Sequence, residues 1–172
     1  MIVAKLRPPP LAAVLIPRPR VQEALAGAAG GHRVVLVIAG AGAGKTTAAA
    51  RFLDERPGRA AWLSLDPSDT AAGRFVSYLA AAVGREEPRL ETMVQDSLAD
   101  GLLTEDCAGL LAERLGPGWT IVLDDLHHLE PDAPALGPLR AFLRYMPADS
   151  LAVLVSRRMP SVDLFHGLLT TS

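Results

Sequence analysis

Cysteine, lysine and aromatic residues are scarce in this chain, and neither sign of charge is in clear excess. The single thiol, Cys107, excludes an internal disulfide and any metal cluster built on several thiolates. It falls in a helical apolar pattern, where it reads as a small buried hydrophobe. Aromatics make up 5% of the chain, so the core has to be built mainly from Ala, Val and Leu. A formal net charge of −2 leaves no electrostatic footprint for DNA, RNA or an anionic membrane. No apolar run approaches the roughly 18 residues of a membrane span. The start, Met1 to Arg7, is too short for a signal peptide and is broken by Pro8-Pro9-Pro10. The expected compartment is the cytoplasm. With 172 residues, 49% hydrophobic and 21% charged, the chain suits one globular domain with a single core.

What is present alternates. The first 20 residues are punctuated by Pro8, Pro9, Pro10, Pro17 and Pro19 and read as an extended lead-in. A short helix is expected from Val21 to about Ala29, closed by Gly30-Gly31. Val34-Val35-Leu36-Val37-Ile38 is a continuous run rich in β-branched residues, the pattern of a strand buried on both faces of a parallel sheet. Lys45 to about Glu55 suits a helix. Ala60–Leu65 suits a second strand, and Asp66-Pro67 a turn. Helical patterns follow over Thr70–Val83, Leu90–Ala99 and Thr104–Leu115. Trp119–Leu123 and Leu151–Val155 read as further strands, separated by a helix over Ala135–Met146. Strands alternating with helices, with polar residues at the strands' C-terminal ends, predict an α/β fold whose ligand lies along that edge. Residues 33–166 are expected to form the core, 1–32 the lead-in and first helix, and 167–172 a tail.

The segment between the first strand and its helix carries the most chemistry. It reads Ala39-Gly40-Ala41-Gly42-Ala43-Gly44-Lys45-Thr46-Thr47, a relaxed phosphate loop with alanine in place of the first glycine. Glycines let the backbone curl tightly enough for several amides to converge on a phosphate. The following helix adds about half a positive charge at its N-terminus. Lys45 can then reach the β- and γ-phosphates and the Thr46 hydroxyl can ligate Mg²⁺. A glycine-rich turn with no ligand is the plainer alternative.

A Mg²⁺–nucleotide site also needs a carboxylate at the tip of a neighbouring strand. Asp124, after Ile121-Val122-Leu123, fits the metal position, mostly through water. Asp125 is placed to orient or deprotonate an attacking water. His127 and His128 follow, but zinc needs three or four ligands at workable spacing, so they read as surface or supporting residues. Arg157, closing the last strand after Ser156, can sense a γ-phosphate. Its alternative is a solvated basic turn with Arg158. Arg18 and Arg20 in the lead-in can flank an adenine or simply be solvated.

The order of these segments resembles a known family. Lys5-Leu6-Arg7-Pro8-Pro9 and Ile16-Pro17-Arg18-Pro19-Arg20 come first, then Ala39–Thr47. Trp62-Leu63-Ser64-Leu65-Asp66 with Phe75, Tyr78 and Leu79 follows, then Leu123-Asp124-Asp125-Leu126-His127 and finally Leu154-Val155-Ser156-Arg157. The series resembles the nucleotide-binding domain of large ATP-dependent LuxR-type transcriptional activators. These form the MalT-like group within the STAND branch of AAA+-related P-loop NTPases. The Ala-start loop is a form common in that group; Ala43, usually aromatic there, and Leu126, usually Tyr, are mild departures.

The resemblance implies a P-loop NTPase sandwich with a mostly parallel sheet of about four strands, the final edge strand missing. It implies a switch that holds ADP at rest, exchanges it for ATP, oligomerises and hydrolyses slowly. Gly40, Ala41, Gly42, Ala43, Gly44, Lys45, Thr46 and Thr47 would hold the phosphates, with Arg18 near the base. Thr46 and Asp124 would hold Mg²⁺, Asp125 would assist hydrolysis, and Arg157 would sense the γ-phosphate. Sensor and DNA-binding domains, which the family carries elsewhere, are not expected in these residues, so the chain is expected to be a fragment, a truncated product or a stand-alone remnant. Partners expected are nucleotide, further regulator domains and copies of itself, with no direct nucleic-acid contact and no membrane. Two other readings stay open: a degenerate phosphate-loop domain without turnover, and a small kinase, for which no acceptor-site constellation is found.

Overall fold

In the computed structural model, residues 1–11, 19–129 and 131–165 are described. Arg18 and the 167–172 tail lie outside them. The strands are β1 (Val34–Ile38), β2 (Arg59–Ser64), β3 (Trp119–Asp124) and β4 (Leu151–Ser156). The helices are α1 (Pro19–Gly31), α2 (Lys45–Glu55), α3 (Ala72–Gly84), α4 (Pro88–Ala99), α5 (Thr104–Arg114) and α6 (Leu136–Tyr145). The sheet runs β1-β4-β3-β2, every pairing parallel, with Val34 opposite Ala152, Thr120 opposite Leu151 and Arg59 opposite Trp119.

Two apolar layers sandwich this sheet, and the two-residue period of the strands sorts side chains between them. Ile121 and Leu123 of β3, Leu63 of β2 and Leu154 of β4 join Phe75, Leu79, Leu111 and Leu139 in one layer. Val122, Trp62, Val153 and Val155 point the other way, joining Leu25 of α1 and Ala49, Phe52 and Leu53 of α2. Asp124 shares its parity with Val122, so its carboxylate is delivered to the α2 side. Ser64, opposite Asp124 in register, is on that side too and accepts a hydrogen bond from Trp62 Nε1 at 2.8 Å.

Three expectations are corrected by this arrangement. Among the described residues β1 is an edge strand whose burial is incomplete: Val34 and Leu36 pack on one layer and Val35 and Val37 on the other, but only Val35 is buried and Ile38 is 38% exposed. A parallel strand missing its outer partner keeps the same apolar sequence, so the run alone could not show its position. The strand beside β1 is β4, so Asp124 stands one strand further away than a direct neighbour. The lead-in is not uniformly extended either; Val3–Leu6 makes a single 3-10 turn. There Lys5 is buried, its ammonium bonded to Asp66 at 3.0 Å and to Asp69, and it lies 4.5 Å from the centre of the Tyr78 ring. Asp69 is fully buried and also receives Arg74 at 3.1 Å and the Asp66 amide at 2.9 Å. This polar knot pins the start of the chain to the end of β2 and to α3.

Candidate functional site

At the C-terminal edge of the sheet β1 gives way to the glycine loop. Gly42 and Gly44 have φ of 74° and 75°, left-handed values that a Cβ makes costly, and they turn the chain from strand into helix. The Ala43 amide donates back to Gly40 O at 3.4 Å, closing the curl. The first regular helical bond of α2 runs from the Ala48 amide to Gly44 O at 2.9 Å. The amides of Lys45, Thr46 and Thr47 therefore start the helix without intrahelical acceptors. Gly44, as the N-cap, supplies no side chain to satisfy them, and no acidic residue lies in the first turn. A Cβ built on Gly40 or Gly42 meets nothing within 4 Å, so open space lies against the loop. Uncapped amides at a helix N-terminus whose first turn carries no acidic residue together fit an anionic group.

The side chains converge on the same place. Lys45 is 9% exposed and donates to Gly40 O at 2.8 Å, curling over its own loop. Thr46 Oγ1 donates to Asp124 Oδ1 at 3.2 Å, bridging the loop helix to β3 across the intervening strand. Asp124 is 2% exposed, and burial pushes its carboxyl above the usual carboxylate range. The Thr46 hydroxyl, the Asp125 amide at 2.9 Å and the Lys45 charge act in the opposite direction, whereas the Asp125 charge adds to the elevation. A desolvated carboxylate beside a threonine hydroxyl is an all-oxygen donor set suited to a hard cation such as Mg²⁺. Gly40, Ala41, Gly42, Ala43, Gly44, Lys45, Thr46 and Thr47 thus lie in one loop and helix start, with Asp124 facing it.

The remaining predicted positions flank this centre. Asp125 sits just past β3 at φ 55° and ψ 37°, left-handed backbone that Asp tolerates better than most side chains. Its carboxylate lies 3.7 Å from His127 Nδ1. Arg157 is exposed in the turn after β4; burial chiefly, then His128 and more weakly the Arg157 and Arg158 charges, depress the His127 pKa. Sequence reasoning missed the polar links around it. Ser156 Oγ donates to Arg158 O at 2.6 Å and accepts from the Arg158 amide at 3.3 Å. Arg158 Nη2 donates to His127 O at 3.2 Å. Nothing in the sequence signals that a backbone carbonyl on one turn holds an arginine from another. No group of three or more metal-ligating side chains occurs among the described residues. None of the described helices is long and apolar enough to cross a membrane.

An all-parallel sheet with a glycine loop opening into a helix, and an acidic strand end one strand away, defines a P-loop NTPase domain. A family model described as "AAA domain" matches residues 28–162, and the chain belongs to that family. Its curated relatives include the HTH-type transcriptional regulator MalT of Vibrio cholerae serotype O1. The two are 35% identical over 152 residues, 84% of this chain and 16% of that protein. MalT of Klebsiella pneumoniae is 32% identical over 175 residues, 95% of this chain and 18% of that protein. The chain thus corresponds to a MalT-like P-loop NTPase domain and spans 16–18% of the length of these regulators. Among solved structures, the Walker-type ATPase paby2304 of Pyrococcus abyssi matches with a TM-score of 0.56 at 16% identity. That match covers 98% of this chain and 52% of the other and speaks for the fold.

Proposed function

We propose that the chain is an ATP/ADP-binding switch module of a LuxR-type regulator, hydrolysing ATP slowly at most. The observation that carries this is the 3.2 Å contact from Thr46 to the buried Asp124, made beneath a helix N-terminus with no cap of its own. The amides of residues 42–47 bind the phosphates, and Lys45 exchanges Gly40 O for a phosphate oxygen. Thr46 and Asp124 are the residues that would hold Mg²⁺, which would supply neutralisation of the phosphate charge. Asp125 orients the attacking water, and Arg157 reads the presence of the γ-phosphate. The further regulator domains, or copies of the same domain, are the partners of this switch, and the cytoplasm is its compartment. Direct nucleic-acid contact is not assigned to these residues, whose net charge is −2.

Calorimetric titration with ATP and ADP, with and without Mg²⁺, tests the reading. Saturable binding of both nucleotides, tightened by Mg²⁺, is expected. A two-state element needs about 5.5 kcal/mol of differential binding to move from 1:99 to 99:1. A folded protein that binds neither nucleotide would point instead to a degenerate domain. Stoichiometric phosphate transfer to an added metabolite would point to a kinase.

A further inference from the structure

His127 is the polar side chain beside this site that the proposed function leaves without a task. Its ring lies in the 3-10 turn Leu126–His128, directly after Asp125. The Nδ1 atom is buried without a hydrogen-bond partner, 3.7 Å from Asp125 Oδ1, just beyond bonding reach. A buried ring nitrogen left unpaired is costly, so a carboxylate oxygen 3.7 Å away is a meaningful candidate acceptor. The backbone of the same residue is anchored: His127 O receives Arg158 Nη2 at 3.2 Å, and the Ser156 hydroxyl holds the Arg158 turn through two bonds of 2.6 and 3.3 Å. The imidazole is therefore fixed at its backbone from the end of β4, while its Nδ1 faces the carboxylate that must be aimed.

We infer that His127 is a positioning residue for hydrolysis, its Nδ1–H closing the 3.7 Å gap to donate to Asp125 Oδ1 in the nucleotide-bound site and setting the angle at which that carboxylate meets the attacking water. This rests on the nucleotide-site reading and deepens it. In the step served, the water oxygen bonds to the γ-phosphorus and the bond from that phosphorus to the β,γ-bridging oxygen breaks. The water's proton passes to Asp125, and ADP and phosphate leave. His127 gives up no proton in this scheme; it must stay neutral with its hydrogen on Nδ1. Burial favours the neutral ring, as do the neighbouring His128 and the Arg157 and Arg158 charges, whereas the Asp125 charge opposes them. The adjacent turn Pro67–Thr70 adds Asp69, which is already engaged by Lys5 and Arg74. His128, whose ring centre is 4.4 Å away, provides the control.

The test compares His127→Asn, His127→Gln and His127→Ala. An asparagine amide reproduces a donor near Nδ1, and a glutamine amide reproduces one near Nε2. ATP affinity by calorimetry should stay near wild type in all three. Single-turnover phosphate release should fall about 10- to 100-fold in the Ala and Gln variants, the range seen when a supporting hydrogen bond is lost. Asn should recover most of the rate, and His128→Ala should leave it unchanged. In nucleotide-free protein, Asp125→Asn should lower the His127 titration midpoint measured by NMR, because a neighbouring negative charge is removed. Equal rates in Asn and Gln variants, or a midpoint indifferent to Asp125→Asn, overturn the inference while leaving nucleotide binding intact. Bound ATP with no release from the wild type overturns it as well. Absence of ATP binding in the wild type overturns the site reading beneath it.

Discussion

Replacing Asp124 with Asn should make the nucleotide-free protein more stable and the Mg²⁺-nucleotide complex weaker. The carboxylate is 2% exposed, and its pKa is raised chiefly by desolvation. A raised carboxyl pKa means the folded state holds a proton that the unfolded chain has released. The contribution of Asp124 is therefore most favourable at low pH, declines as pH rises from about 3.8 through its folded pKa, and stays reduced at neutrality. An effective burial cost of several kcal/mol is offset in part by two donors, the Thr46 hydroxyl and the Asp125 amide, each contributing about 1.5–3 kcal/mol. Asparagine is isosteric, keeps an acceptor oxygen for both donors and has no charge to desolvate. A gain of about 1 kcal/mol is expected, which for a domain of this size raises Tm by about 2–4 °C. ATP with Mg²⁺ at 100 times Kd should stabilise the wild type by about 2.7 kcal/mol, roughly 5–11 °C, and the variant by much less. Differential scanning calorimetry in the four combinations of variant and ligand checks both signs. An Asn variant less stable than wild type without nucleotide, yet equally stabilised by Mg²⁺-ATP, would refute the reasoning.

Lys45→Ala should remove ATP binding in calorimetry, since the ammonium buried over Gly40 O is the one side-chain cation inside the loop. Lys5→Ala should cost about 3 kcal/mol, near the lower limit for breaking a buried pair because Arg74 and the Asp66 amide still serve Asp69; urea unfolding at constant m reads it. Gly58→Ala should cost about 2–3 kcal/mol in the same assay, because φ is 114° and a Cβ would stand 2.7 Å from the Gly118 carbonyl oxygen. Asp66, held down to about 2 first by the Ser68 hydroxyl and then by Lys5 against opposing burial, contributes stability that is present above pH 3.8 and lost as pH falls toward 2. That acid limb should be shallower in Asp66→Asn, and the effect small because the side chain is 41% exposed.

Element identity was legible where periodicity was unambiguous. The helix expected from Lys45 to Glu55 spans Lys45–Glu55, because a glycine start and an Ala/Phe/Leu stripe leave little choice. The four apolar runs are four strands for the same reason. Strand order was not legible: nothing local in Leu151–Val155 says that it inserts between β1 and β3. The Val3–Leu6 turn was hidden by the prolines that follow, and the burial of Lys5 depends on Asp69 and Tyr78, more than sixty positions away. At the site, the loop and the acidic strand end could be read from residue types. The Thr46–Asp124 contact, the left-handed Asp125 and the Arg158 anchor on His127 O are products of tertiary geometry.

The strand that feeds the phosphate loop is also one of the two edge strands, with no strand along its outer rim among the described residues. The bonds from the Ala152 amide to Arg33 O and from the Ala39 amide to Ser156 O set the alternation, which turns the peptide groups of Val34, Leu36 and Ile38 outward. Five apolar residues in a row, with no lysine, proline or bulge among them, form a ready template for another extended chain. Whatever zips onto that rim grips the backbone immediately before Ala39. A chain added along that rim would therefore be expected to act on the loop as well, since only Ala39 separates the strand from the first glycine.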